Sequence, residues 1–330
     1  MREAVTDRAK PAVALLAALM VTLALPGAVA PQEPNCRRRT VLVNVVDRDG
    51  FPVQGFSAEH FRASFRGQPV RILSAQVESR PRRIVVLLDA SGSMQSTPSK
   101  WEMARRMAGD LIALIPAENS VALVTFGDKV YETVGFSQKP KEALEKIISL
   151  ESPKPTKGKI GGRTALWDAL LAALAMFGSP QSGDLIYVIS DGGANVGRSS
   201  LRDVERAFLD SGTRAFAFAL VDFSAMRSPE ETNGLSNMKE LTELTGGNLI
   251  CVTVEYYAPR KHSDGVALGV RALYQQMISF YRLEIELPQD IDKPREWKLE
   301  LVPGMGFKPA DFRVTYPRKL LPCRAKDAAK

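Results

Sequence analysis

Short apolar runs alternate with longer segments of helical spacing along the middle of the chain. Apolar runs bounded by turn residues are typical of buried strands, and apolar positions three and four residues apart predict helices. The runs that predict strands are 84–89, 120–126, 129–134, 185–190, 214–220 and 248–254. The segments that predict helices are 101–115, 142–150, 165–177, 201–209, 236–245 and 265–279. This alternation predicts an α/β fold with a doubly wound, mostly parallel sheet and helices on both faces.

Both ends of the chain carry a different pattern. Residues 281–287 and 297–302 alternate apolar and charged side chains, which is typical of half-exposed antiparallel strands. Residues 40–50 predict a strand entering an Asp-Gly turn, and residues 62–72 predict a short hairpin. Together with residues 312–316, these segments are expected to form a small accessory β domain.

Candidate metal ligands follow the first apolar run of the central region. Asp89 ends that run, and Ser91 and Ser93 follow at alternate positions with Gly92 between them. Hard divalent cations such as Mg²⁺ take several oxygen ligands at close range. Glycine lets the backbone bend tightly between the two serines. The three side chains therefore predict part of a cation-binding shell.

Two later segments repeat this placement of oxygen ligands. Thr164 follows a glycine pair near the start of a predicted helix, and Asp191 follows the run 185–190. Ligands of open parallel sheets gather outside the carboxyl ends of the strands, so Asp89 and Asp191 are expected at one crevice. Each segment alone also fits ordinary turn chemistry, and Thr164 alone also fits a helix N-cap.

Taken together, these residues resemble the metal-ion-dependent adhesion site of von Willebrand factor type A domains. The family pattern is Asp-x-Ser-x-Ser, then Thr, then Asp, and Asp89, Ser91, Ser93, Thr164 and Asp191 match it in order. The resemblance implies a Mg²⁺ ion, with Mn²⁺ and Ca²⁺ as alternatives. It implies that the hydroxyls hold the ion directly and the aspartates directly or through water. One coordination position then stays open for a carboxylate of a partner.

The resemblance widens beyond the central region to nearly the whole mature chain. The segment before Asp89 resembles the leader of exported acidobacterial proteins with a von Willebrand factor A-related domain. The expected domains are a signal peptide at 1–30, an N-terminal β region at 31–80, a von Willebrand A-like, Rossmann-like domain at 81–280 and a C-terminal β-strand region at 281–330.

The N-terminus predicts export. Basic residues precede an apolar core at 12–25, and Ala28-Val29-Ala30 supplies a small-residue cleavage pattern. Removal of this segment would release the chain into the periplasm, onto the cell surface or into the medium. Pro31 directly after the pattern is unfavourable for cleavage, so an uncleaved membrane anchor stays open as the alternative.

Export changes the interpretation of the three cysteines. Cys36 and Cys323 lie near the two ends of the mature chain, and an oxidising compartment would permit a disulfide between them. Cys251 lies in the apolar run 248–254, where a cysteine is usually a small buried hydrophobe.

Composition excludes several classes of function. The chain has 330 residues, of which 45% are hydrophobic and 25% charged, with a net charge of +7, which is ordinary globular usage. Basic and acidic residues are interspersed, so no nucleic-acid partner is expected. The 2 histidines, His60 and His262, lie in no zinc-type cluster, so His-based catalysis is not expected.

Three functions are compared on these grounds. The favoured one is a non-enzymatic, exported, adhesion-type module that recruits an Asp or Glu carboxylate of a protein partner through its cation. A membrane contact is expected only if the signal segment is uncleaved. The rival is a metal-dependent phosphohydrolase with Asp89 as nucleophile, although such sites need a carboxylate two positions on and residue 91 is serine. A scaffold with a structural metal is the third.

Two further features belong to these hypotheses. Asp168 is expected to form hydrogen bonds within the site, toward the Thr164 turn, as support for the ligands. The loops 153–162 and 225–233 are expected to border the metal crevice and to determine which partner binds, because loops on a rigid scaffold usually carry specificity.

Overall fold

The computed structural model describes most of the chain after the predicted signal segment. The described ranges are 36–78, 80, 82–95, 98–137, 140–150, 163–221, 229–254, 261–303 and 306–323. The signal peptide at 1–30, the loop 153–162 and residues 225–228 of the second loop lie outside them, so those interpretations stay predictions. The remaining residues of that second loop, 229–233, are helical, so the prediction of a loop there is wrong.

The elements are numbered along the chain. The strands are β1 (Arg38–Val46), β2 (Phe61–Phe65), β3 (Gln68–Glu78), β4 (Arg83–Asp89), β5 (Ser120–Phe126), β6 (Val130–Ser137), β7 (Leu185–Ser190), β8 (Arg214–Val221), β9 (Leu249–Thr253), β10 (Phe280–Glu286), β11 (Arg295–Glu296), β12 (Lys298–Leu301), β13 (Arg313–Thr315) and β14 (Lys319–Leu320). The helices are α1 (Gly92–Gln95), α2 (Pro98–Leu114), α3 (Pro140–Ser149), α4 (Leu166–Ala175), α5 (Leu201–Ser211), α6 (Pro229–Leu244) and α7 (Lys261–Ile278).

The central sheet has the strand order β6-β5-β4-β7-β8-β9. β4 pairs in parallel with β5 and β7, β8 pairs in parallel with β7 and β9, and β6 pairs antiparallel with β5. Parallel strands covered on both faces form near-continuous apolar runs, and β7 and β8 are buried along their whole length. The predicted α/β class is confirmed.

Alternate side chains of β4 enter two separate cores. Ile84, Val86 and Leu88 pack with buried residues of α2, α3 and α7, whereas Val85 and Leu87 pack with those of α4, α5 and α6. Successive side chains of a strand point to opposite faces of the sheet, so each face is covered by its own set of helices. The carboxyl ends of β4 and β7 remain between these two layers.

A second, antiparallel sheet joins strands from both ends of the described chain. Its order is β12-β2-β3-β10-β1-β13, and β11 pairs with β14 beside it. Its core includes Val43, Phe65, Leu283 and Trp297. A disulfide joins Cys36 to Cys323 across 287 positions of sequence, with Cα atoms 5.4 Å apart. The hypothesis that these two cysteines pair is confirmed.

The buried Arg214 connects the two sheets. Its guanidinium donates hydrogen bonds to Asn44 Oδ1 of β1 at 2.8 Å and to the carbonyl of Met277 in α7 at 3.0 Å. It also lies 3.9 Å from the ring centroid of Phe280. Burial, together with the positive charge of Arg82, lowers the pKa of Arg214 to about 9.

One expectation about packing is wrong. Cys251 lies in strand β9 at the edge of the central sheet, and its side chain is exposed. The apolar run around it predicted burial, but an edge strand has a neighbouring strand on one side only.

In the described parts of the chain, no helix is long and apolar enough to cross a membrane.

Candidate metal site

Asp89 is fully buried at the carboxyl end of β4. The backbone N–H of Ser91 donates to its Oδ1 at 2.8 Å, and the hydroxyl of Ser190 donates to its Oδ2 at 2.5 Å. Ser190 in turn accepts the N–H of Gly192 at 3.0 Å. Both Asp89 oxygens therefore accept hydrogen bonds from neutral donors, and Ser190 links β4 to the loop that follows β7.

Ser91 and Ser93 lie in the turn directly after Asp89. Gly92 begins the short helix α1, and the two serine hydroxyls lie 3.1 Å apart. Ser91 is buried, whereas Ser93 is half-buried. The two hydroxyls, which stand at alternate positions of the sequence, therefore lie close together.

Asp191 is the first residue after β7 and is almost fully buried. The N–H of Gly193 donates to its Oδ1 at 3.3 Å, and the Lys100 ammonium donates to its Oδ2 at 2.7 Å. Gly192, next in the chain, has φ +86°, and an added Cβ would lie 2.8 Å from the carbonyl carbon of Gly234. Only glycine fits there, so the loop that carries Asp191 has a fixed course.

Thr164 reaches the same place from the start of α4. A Cβ added to Gly193 would lie 4.0 Å from the Thr164 hydroxyl oxygen and 3.4 Å from Asp191 Oδ1. The backbone N–H of Thr164 donates to Asn195 Oδ1 at 2.8 Å. The N-cap of α4 is Ala165, with no side-chain cap hydrogen bond. Thr164 therefore does not cap its helix, and that alternative is wrong.

Burial and charge act together on the two carboxyl groups. Burial, followed by the negative charge of Asp191, raises the pKa of Asp89 well above its usual range, although the hydrogen bonds from Ser190 and Ser91 oppose the shift. Removing a carboxylate from water disfavours its charged form unless positive charge compensates. Among the described ion pairs, one includes either of these aspartates, and it joins Lys100 to Asp191.

The donor set fits a hard divalent cation. Within the described ranges, no three His, Cys, Asp or Glu side chains cluster to hold a metal. The candidate oxygen donors are two carboxylates and three hydroxyls. Hard cations take such all-oxygen sets, and a cation would offset the buried negative charge of Asp89 and Asp191.

Three residues at the site were not singled out from the sequence. Ser190 could have been noticed, because it directly precedes Asp191 at the end of a predicted strand. Asn195, which accepts the Thr164 N–H, and Lys100 carry no comparable signal. A lysine in a helical segment is ordinarily on the surface, so its burial here depends on the tertiary fold.

Asp168 supports a loop rather than the Thr164 turn. Its carboxylate accepts the backbone N–H groups of Arg198 at 3.1 Å and Ser199 at 2.9 Å. The hydrogen bond from the Ser199 side chain is the largest cause that lowers the pKa of Asp168, and the two backbone N–H groups lower it further. Asp168 was expected to form hydrogen bonds toward the Thr164 turn, and that expectation is wrong. Its carboxylate instead binds backbone N–H groups in the loop that follows Asp191.

The family comparison agrees with the site pattern. Residues 84–194 match the family model of the von Willebrand factor type A domain. This range begins in β4 and ends just after Asp191, so it includes all five predicted ligands. A search of curated proteins found no match.

Several solved structures resemble the chain at low identity. A von Willebrand factor type A protein from Catenulispora acidiphila is 11% identical, with 91% of this chain and 76% of that chain covered and a TM-score of 0.46. An aerotolerance-related membrane protein from Bacteroides fragilis is 18% identical, with 60% and 98% covered and a TM-score of 0.43.

Proximal thread matrix protein 1 from the mussel byssus is 15% identical, with 64% of this chain and 51% of that chain covered and a TM-score of 0.48. This chain thus matches about half the length of the mussel protein. All three TM-scores are low, so the assignment rests on the family model. The part of the chain that matches the von Willebrand factor type A domain in sequence is therefore residues 84–194, about a third of its length.

Proposed function

We propose that this protein is an exported, non-catalytic module that binds a protein partner through a divalent cation. Asp89, Ser91, Ser93, Thr164 and Asp191 would hold the ion, with Mg²⁺ expected first and Mn²⁺ or Ca²⁺ as alternatives. The observation that carries the proposal is that the buried residues Asp89 and Asp191 lie at the carboxyl ends of the paired strands β4 and β7. The Ser91 and Ser93 hydroxyls lie in the turn after Asp89, and the Thr164 hydroxyl lies on the side of Asp191.

The expected partner group is an Asp or Glu carboxylate. A bound divalent cation would supply a concentrated positive charge at the crevice. The two carboxylates would balance the charge of the ion, but the five proposed protein ligands would leave one of its coordination positions open. A hard cation in that state favours a further charged oxygen ligand. No nucleic-acid partner is proposed.

Export is part of the proposal. The disulfide between Cys36 and Cys323 supports it, because such bonds persist in oxidising compartments. The proposed location is the periplasm, the cell surface or the medium. A membrane contact would come only from an uncleaved segment 1–30, which lies outside the described residues.

The phosphohydrolase alternative is not favoured. A nucleophilic carboxylate must reach a phosphorus atom in line with the leaving group, whereas Asp89 is fully buried and both of its oxygens accept hydrogen bonds. Residue 91 is serine and supplies no second carboxylate. A scaffold with a purely structural metal would keep the ion but would not bind a partner through it.

A capture experiment distinguishes the proposed partner-binding function from a scaffold with a purely structural metal. The mature protein is immobilised, and exported proteins of its own cell are applied in Mg²⁺ or in chelator. A partner that is retained in Mg²⁺, released by chelator and lost after amidation of its carboxylates is expected. Asp191→Ala should lose the partner, whereas Asp290→Ala, at an exposed position, should retain it. Equal retention with and without chelator would contradict the proposal.

A further inference from the structure

A lysine ammonium lies inside the candidate metal site. Lys100 Nζ is 2.7 Å from Asp191 Oδ2, and the two side chains are only 6% and 5% exposed. Lysine is almost never buried to this degree unless it is paired. The residue lies near the start of α2, so its side chain reaches across from a helix that packs on the sheet.

The ammonium compensates part of the negative charge of the site. Asp191 has Lys100 on Oδ2, while its Oδ1 accepts the N–H of Gly193 and lies on the Thr164 side. Both oxygens of Asp89 accept hydrogen bonds from uncharged donors instead. The two aspartates therefore differ, because one has a fixed cationic partner and the other has none among the described ion pairs.

We propose that Lys100 is a resident counter-cation that opposes metal binding at this site. In the metal-free protein its ammonium stabilises the Asp191 carboxylate. A divalent ion that contacts Asp191 must approach this ammonium, and like charges at such distances repel even when they are partly screened. This inference rests on the proposed function, because it concerns the same metal site.

The same charge has a consequence for the partner. A divalent ion beside two carboxylates would leave the site neutral, whereas the additional ammonium leaves it positive. A positive, poorly hydrated crevice attracts anionic groups more strongly than a neutral one. Lys100 therefore weakens the hold on the metal and strengthens the preference of the loaded site for a carboxylate.

Removing the charge should tighten metal binding. Lys100→Met removes the charge and the hydrogen bond, whereas Lys100→Gln removes the charge but can still donate to Asp191. Both variants are expected to bind Mn²⁺ about tenfold more tightly or better than the unaltered protein, measured by calorimetry after chelator treatment. Lys146→Met, at an exposed position of α3, serves as the matched control and should leave the affinity unchanged.

Metal-free stability provides a second readout. In chelator, Lys100→Met should unfold at a lower temperature than the unaltered protein, because the buried Asp191 carboxylate loses its ionic partner. Saturating Mn²⁺ should then raise the unfolding temperature of the variant more than that of the unaltered protein. A lysine with only a structural role would lower the unfolding temperature without tightening metal binding.

The outcomes distinguish this inference from the proposed function. Unchanged or weaker Mn²⁺ binding by Lys100→Gln and Lys100→Met, with normal binding by the unaltered protein, would overturn the inference and leave the proposed function standing. Binding by the variants but not by the unaltered protein would support the inference and contradict the proposed function. No binding by any of them would overturn both.

Discussion

At the scale of single residues, the site depends on how each carboxylate is surrounded. Asp89 is buried and accepts hydrogen bonds only from neutral groups, so a bound cation would favour its charged form. Asp191 already has the Lys100 ammonium. Substitutions at these two positions therefore test different contributions to the same site.

Asp89→Asn is expected to weaken metal binding strongly without unfolding the protein. The amide oxygen can still accept the Ser91 N–H, while the charge that attracts the ion is gone. The Mg²⁺ affinity should fall at least about tenfold, since one carboxylate–cation contact is worth several times the thermal energy. Calorimetry measures the affinity, and thermal unfolding in chelator should show a folded variant. Unchanged Mg²⁺ affinity would remove Asp89 from the ligand set.

Because its pKa is lowered in the folded protein, Glu78 is expected to make the free energy of unfolding depend on pH. Its buried carboxylate accepts hydrogen bonds from Arg80 Nε at 2.9 Å and Nη2 at 2.7 Å, and these bonds lower its pKa from 4.5 to about 2. A lowered folded-state pKa contributes stability that is present above pH 4.5 and is lost as the pH falls toward 2. Arg80 is 57% exposed, so solvent screening keeps the contribution small.

The test of this pair compares two pH values. Glu78→Gln should unfold at a lower urea concentration than the unaltered protein at pH 7. The difference should shrink near pH 2, where the carboxylate is protonated in the unfolded protein and about half protonated in the folded one. Glu300→Gln, whose contact with Arg62 is a 3.9 Å exposed pair, is the control and should show little difference at either pH. If Glu78→Gln lowered the urea midpoint near pH 2 as much as it does at pH 7, the ion pair of Glu78 with Arg80 would not be the cause.

At the scale of elements, the hydrophobic pattern identified β4, β7 and α4 because each is buried over most of its length. The predicted run 84–89 became Arg83–Asp89, and the predicted helix 165–177 became Leu166–Ala175. The same pattern misassigned Cys251, because an apolar run does not tell an edge strand from a central one. It also gave no sign of Lys100, whose burial depends on a contact 91 positions away.

Substitution of Gly192 tests whether the course of the loop after β7 positions the Asp191 carboxylate. Gly192→Ala would have to adopt φ +86° and would place its Cβ 2.8 Å from the carbonyl carbon of Gly234. Strain of this kind costs about 1–3 kcal/mol, so both the free energy of unfolding and the Mg²⁺ affinity should fall. Urea denaturation and calorimetry measure the two effects.

Gly212→Ala is the matched control for this substitution. Gly212 has φ +68° at the end of α5, and an added Cβ would meet nothing within 4 Å. This variant should lose about 1 kcal/mol of stability from its backbone conformation alone and should keep its Mg²⁺ affinity. A Gly192→Ala protein that binds Mg²⁺ as well as the Gly212→Ala protein would show that the loop course does not position Asp191.

At the scale of the whole molecule, distant parts of the chain are joined in ways that one sequence does not specify. β1 pairs with β10, so that Arg38 lies opposite Glu286, and Arg214 connects β8 to Asn44 and Met277. The period-two pattern predicted the type of these strands but not their partners, because strand pairing depends on which edges meet. The Cys36–Cys323 bond was foreseen only as a hypothesis.

The disulfide is expected to stabilise the whole fold. It closes a segment of 287 positions, and a bond that closes a long loop restricts the unfolded chain. Its removal typically costs about 2–5 kcal/mol. The double variant Cys36→Ser/Cys323→Ser should therefore unfold at a lower urea concentration. Cys251→Ser, at an exposed free cysteine, should not. Equal midpoints for all three proteins would show that the bond adds no stability.

The measurement that tests the proposed metal site most directly is calorimetric titration of the chelator-treated mature protein with Mg²⁺ and Mn²⁺. Saturable binding of one ion is expected in the unaltered protein and in Asp290→Ala, with loss of binding in Asp191→Ala. The carboxylate of Asp191 and the hydroxyls around it would then be established as a cation site. Indistinguishable titrations of the unaltered protein and Asp191→Ala, whether both bind or neither does, would contradict it.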